Sequence, residues 1–115
     1  MPELETRTVE YGEIKITVRE ATQLDGSRRM RLKADAFQEE DLDRRMSALI
    51  YADLVAVAVE VEGLSWPLPF EEFITLPDWL VVLWDQAVAE LNPHWAGKVD
   101  EEEQKKSQTS STSGS

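Results

Sequence analysis

The sequence predicts a mainly helical α+β domain in which an N-terminal β-hairpin packs against about three α-helices, followed by a disordered C-terminal tail. Three observations carry this reading: a short period-two alternation of β-branched residues near the N-terminus, apolar stripes at helical spacing in three later segments, and an abrupt loss of apolar residues after Lys98. A chain of 115 residues has room for one domain with its own core. We place that domain at residues 1–96 and the tail at 97–115.

The hairpin is read from "TVEYGEIKITVRE", where Val9 and Tyr11 precede a turn at Gly12 and Ile14, Ile16 and Val18 follow it. Alternating β-branched residues suit a half-buried two-stranded ribbon. Such a ribbon is marginal alone in water, so it is expected to lie on helices.

The first helix is read from "TQLDGSRRMRLKADAF". Thr22 and Asp25 have capping-box spacing, and Met30, Ala34 and Phe37 share one face, the expected core face. Gly26 costs roughly 1 kcal/mol relative to Ala inside a helix, which favours a start near Ser27. The second helix, from Asp41 onward, places Leu42, Met46, Leu49, Ile50, Leu54 and Val57 on one stripe, with acids in its first turn. Its end is open between two readings. Residues 55–61 either extend the helix or, because Val55, Val57, Val59 and Val61 alternate, form a short strand before Gly63.

The connector "GLSWPLPFEEF" is broken by Gly63, Pro67 and Pro69, and Trp66 and Phe70 are expected to clamp it onto the core. The last helix then runs from Pro77 to just before Pro93. At 100° per residue, Leu80, Trp84, Ala87, Val88 and Leu91 form a core stripe, and Trp79, Val82 and Leu83 form a second apolar stripe beside it. Either the hairpin or connector covers that second stripe, or another chain does.

Composition excludes several function classes. A net charge of -11, from 23 acidic and 12 basic residues, repels nucleic acid and anionic membranes. No apolar run approaches the ~20 residues that span a bilayer, and "MPELETRTVE" lacks the basic and apolar regions of a secretory signal. With no cysteine and one histidine, His94, the chain offers neither a thiolate metal site nor a serine–histidine pair, so no cofactor or metal is expected. The carboxylate pairs Glu39 with Glu40 and Glu71 with Glu72 read as solvated faces, because adjacent helical residues do not face each other. We therefore expect no enzyme.

Charge is also divided along the chain. Arg28, Arg29, Arg31, Lys33, Arg44 and Arg45 cluster in the first two helices, while residues 46–97 contain no Lys or Arg. Two uses are open: intrachain salt bridges with solubility, or head-to-tail self-association in which the arginines Arg28, Arg29, Arg31, Arg44 and Arg45 meet the acids of the next subunit.

The succession "YGEIKITVREATQLDG", a basic first helix, "MSALIYADLVAVAVEVEG", "LPFEEFITLPDWL" and a closing "ELNPHW" resembles the tail assembly chaperones of long-tailed bacteriophages and prophages. The likeness spans most of the folded body and rests on composition and order, with no catalytic motif. It implies a small non-catalytic α+β protein in the host cytoplasm that binds the tape measure protein, helps recruit tail-tube subunits and self-associates. Members are often made in a second, frameshifted form, and Lys105 and Lys106 in "EQKKSQ" fall where such a site would lie. With that likeness, the partner-binding surface is expected at Trp79, Val82 and Leu83, joined by Trp66 and Tyr51. Two other readings stand beside it: an acidic DNA-mimic inhibitor and a small structural virion component.

Overall fold

The computed structural model describes residues 3–95; the predicted tail, with Lys105 and Lys106, lies outside them. The chain forms β1 (Thr6–Tyr11), β2 (Ile14–Arg19), α1 (Gln23–Ala36), α2 (Leu42–Ala56), β3 (Ala58–Glu62), α3 (Phe70–Phe73), α4 (Asp78–Leu91) and a 3₁₀ turn (Pro93–Trp95). The α+β, mainly helical class expected from the sequence is the observed one.

The predicted hairpin is present and acquires a third strand. β1, β2 and β3 form one antiparallel sheet in that order. Its register pairs Val9 with Ile16 and Ile16 with Val61, which sets one apolar face of the sheet on the helices. Thr8, Thr17 and Glu60 fall on the opposite face, where the Thr8 and Thr17 hydroxyls share a hydrogen bond of 3.1 Å. The β1–β2 turn holds Gly12 at φ 59°, and no non-glycine residue has positive φ, a pattern matching a type II′ hairpin turn.

The open question over residues 55–61 resolves into both answers in succession. α2 continues through Ala56, Val57 caps it, and Ala58–Glu62 then pairs with β2. A hydrogen-bonding edge on β2 draws this segment into a strand once the helix has buried Leu54 and Val57. The register steps over Val59, a bulge that twists this edge strand.

α4 crosses behind the sheet with the anticipated stripe inward: Leu80, Trp84, Ala87, Val88 and Leu91 are buried against Val9, Ile16, Val18, Leu54 and Val57. Burying each such side chain contributes roughly 1.5–3 kcal/mol. Its N-cap is Pro77 and its first helical residue Asp78, one position later than predicted. The connector docks through Leu68 and Phe73, which are buried. Tyr51 packs edge-on against Phe70 and Phe73, with its hydroxyl donating to the Leu68 carbonyl. Phe70 thus helps clamp the connector as expected; Trp66 does not, because it is 43% exposed.

Two further expectations are corrected. α1 begins at Gln23, not near Ser27, because the reciprocal capping box of Thr22 and Asp25 closes its first turn around Gly26. Met30, Ala34 and Phe37 are not its core face: Met30 is 69% and Phe37 62% exposed, and the buried residues of α1 are Asp25 and Ala36. The stripe on α2 is likewise split, with Leu54 and Val57 inside and Leu42 and Met46 in solvent.

Candidate interaction surface

The packing of α4 decides what covers its second apolar stripe. Leu83 is half-buried beside β1, where it lines a shallow cleft of about 290 Å³ with Val9, Gln86 and Ala87, closed at its rim by the ion pair of Arg7 with Glu90 at 3.5 Å. Val82 is half-buried as well, and Trp79 is 60% exposed. The hairpin therefore covers the Leu83 side of the stripe and leaves the Trp79 end open. Trp66 adds a second exposed indole. Tyr51 sits apart from these: with Leu32, Ala36 and Phe70 it floors a cleft of about 250 Å³ between the helices, its ring and hydroxyl already engaged inside the chain. Burial holds its phenol above the ordinary value of 10.0.

The arginines are largely spent within the chain. Arg29 pairs with Asp53, joined by Lys33 at 3.3 Å, and its guanidinium lies over the Trp95 ring at 4.8 Å. Arg44 reaches Glu71 at 2.7 Å and lies over Phe70 at 5.3 Å, while Arg45 donates to the Glu39 carbonyl. Arg28 stands 3.7 Å from Asp25, which Arg19 already grips with two bonds of 3.0 and 3.1 Å. Among the described residues only Arg31 of the five arginines singled out in the sequence is exposed with neither an ion pair nor a side-chain hydrogen bond. Of the acids in residues 46–97, Asp53, Glu71 and Glu90 pair with bases of the first half.

The surface that sequence reasoning missed lies on the α1–α2 pair. Arg29 and Lys33 of α1 both reach Asp53 of α2, so those flanks of the two helices adjoin. On 100° steps, Met30 and Phe37 fall within roughly 60° of Lys33, and Leu42, Met46 and Ile50 within roughly 60° of Asp53. All five lie on the flanks of α1 and α2 that carry this ion pair, and all five are exposed, from 38% at Ile50 to 69% at Met30. The available signal was charge: Arg29 and Lys33 share a flank of α1 and need a carboxylate opposite, which orients that flank inward and Met30 toward solvent.

His94 is exposed in the 3₁₀ turn with its ring 5.9 Å from that of Trp95. Among the described residues no group of three His, Cys, Asp or Glu side chains is placed to hold a metal ion, and no helix is long and apolar enough to cross a membrane. What the arrangement offers chemically is apolar area beside fixed charge, the material of protein–protein contact. No protein-family model, curated protein or solved structure matches the chain.

Proposed function

We propose that this protein is a non-catalytic assembly chaperone that holds apolar helical segments of a partner, acting in tail assembly of a long-tailed bacteriophage or prophage. Its client on this reading is the tape measure protein, its later partner the tail-tube protein, and its place of action the cytoplasm of the host bacterium. One observation carries the proposal: a chain of net charge -11 leaves large apolar side chains, Trp79 among them at 60% exposure, on the outside of its helices. Exposed apolar area supplies contact with an apolar client, and the acidic surface keeps the loaded complex dispersed. Trp79 sits near the start of α4, with the half-buried Val82 three residues further on the same side, so a client helix laid across α4 meets an indole anchor first. The likeness of the sequence to tail assembly chaperones gives the client its name.

The test measures binding of labelled tape measure segments to the full chain by fluorescence anisotropy. Trp79→Ser is expected to weaken binding by roughly 30-fold or more, as for a tryptophan hot spot. Binding is expected to change little with added salt, since apolar contact is not screened. Unchanged affinity of the Trp79 variant refutes this surface, and affinity collapsing with salt favours the DNA-mimic reading.

A further inference from the structure

We infer that the free edge of β1 accepts an extended, basic segment of a partner protein as a fourth strand of the sheet, seated between β1 and α4. The inference is independent of the client reading, which rests on Trp79. The ladder between β1 and β2 fixes which backbone groups are free. Tyr11 and Ile14 close a two-residue turn, so Tyr11, Val9 and Arg7 exchange backbone hydrogen bonds with β2, and the Glu20 N–H donating to the Glu5 carbonyl at 2.9 Å continues the same phase. The N–H and C=O groups of Thr6, Thr8 and Glu10 therefore point away from β2. Among the described residues, those of Thr8 and Glu10 have no hydrogen-bond partner. The opposite edge of the sheet is guarded, since β3 carries a bulge and the exposed acids Glu60 and Glu62. β1 instead keeps an unbroken register over its six residues.

The space beside this edge is a groove. The cleft of about 290 Å³ is lined by residues 7–10 of β1 and by Leu83, Gln86, Ala87 and Glu90 of α4, and by none of β2, which places it on the outer side of β1. Thr8 and Glu10 reach it from the strand edge, because their side chains are engaged on the other face of the sheet, Thr8 with Thr17 and Glu10 with Lys15 at 3.4 Å. A strand added to β1 lies about 4.8 Å further out, over this flank of α4. Its side chains on the α4 side enter the cleft beside Val9, Leu83 and Ala87, which favours an aliphatic, β-branched residue there. Only an extended backbone supplies N–H and C=O groups at the spacing the edge presents, so the occupant is a peptide segment. Charge selects its sign. Glu5, Glu10 and Glu90 border the edge against the single base Arg7, on a chain of net charge -11, so a segment bearing lysine or arginine is complementary.

Fluorescence anisotropy of a labelled peptide of alternating valine and lysine, matched in length to β1 and titrated with the full chain, tests this. Saturable binding is expected, and the same peptide with glutamate in place of lysine is expected to bind at least roughly tenfold more weakly. Thr8→Pro removes an outward N–H and leaves the ladder to β2 intact, so it is expected to fold and to weaken binding at least roughly tenfold. Two further peptides carry N-methyl groups on one or the other set of alternate amides. Only one set faces β1, so one of these peptides is expected to lose at least roughly tenfold in affinity while the other keeps it. A cationic peptide held by charge alone treats both methylated forms alike. Absence of binding, equal affinity for the lysine and glutamate peptides, an unchanged affinity of Thr8→Pro, or equal affinities of the two methylated peptides overturns the proposal. Circular dichroism checks the fold of Thr8→Pro; should that variant not fold, the methylated peptides on the unaltered chain decide, and equal affinities refute the added strand.

Discussion

Asn92 is 1% exposed and ties the last turn of α4 to the junction between β2 and α1. Its Oδ1 accepts from the Ala21 N–H at 2.8 Å, and its Nδ2 donates to the carbonyls of Arg19 at 3.1 Å and Val88 at 3.3 Å. Asn92→Ala strands the Ala21 donor, which costs roughly 1–3 kcal/mol, and loses the bond to Arg19, about 1 kcal/mol more. The sum is about 2–4 kcal/mol, a large part of the ~5–15 kcal/mol expected for a domain of this size. Urea unfolding should show a lower midpoint with an unchanged slope, since the surface exposed on unfolding is the same. A loss below about 1 kcal/mol would refute the reasoning, because it would mean water satisfies the Ala21 donor without help. Asn92→Asp sharpens the test. It keeps the acceptor but turns a carboxylate oxygen toward two carbonyls, so the folded state favours the protonated acid. A group whose folded pKa is raised contributes most at low pH and loses that contribution as pH rises, so this variant should regain stability on acidification.

Two further predictions concern α1 and the sheet. Burial alone would raise the Asp25 carboxyl, yet its bonds to Arg19 and to the Thr22 N–H, the Arg19 charge and the Thr22 hydroxyl together hold it below its ordinary 3.8. A depressed folded pKa means stability present above the unfolded value and lost as pH falls through the folded one, so the chain should weaken in acid below about pH 4. Asp25→Asn should lower stability at neutral pH by about 2–3 kcal/mol and flatten that acid limb in pH-dependent urea titrations, with Arg19 one-third exposed and thus partly rehydrated. Gly63 holds φ 84°, and a Cβ there would stand 2.8 Å from the Glu13 carbonyl oxygen, whereas a Cβ on Gly12, at φ 59°, meets nothing within 4 Å. Gly63→Ala should therefore cost clearly more than Gly12→Ala, for which roughly 1 kcal/mol of backbone strain is expected, in thermal or urea unfolding.

The parts of this fold legible in the sequence are those whose causes are local. The hairpin announces itself through alternation around Gly12, and α4 through a stripe bounded by Pro77 and Pro93. What sequence reading missed depends on partners far along the chain. Asn92 meets Ala21 across 71 residues, and Arg29 meets Asp53 across 24. Neither contact leaves a periodic trace, so Asn92 read only as the residue before a proline. The error over Met30 and Phe37 has the same origin and a larger consequence. An apolar stripe on a helix predicts burial only if nothing else competes to orient that helix. Here Asp25 with Arg19, and Asp53 with Arg29 and Lys33, turn α1 so that its charged flank meets α2 and the sheet junction. The orientation of α1 is thus set by contacts its own periodicity does not record, and its apolar stripe faces outward although its spacing alone predicts burial.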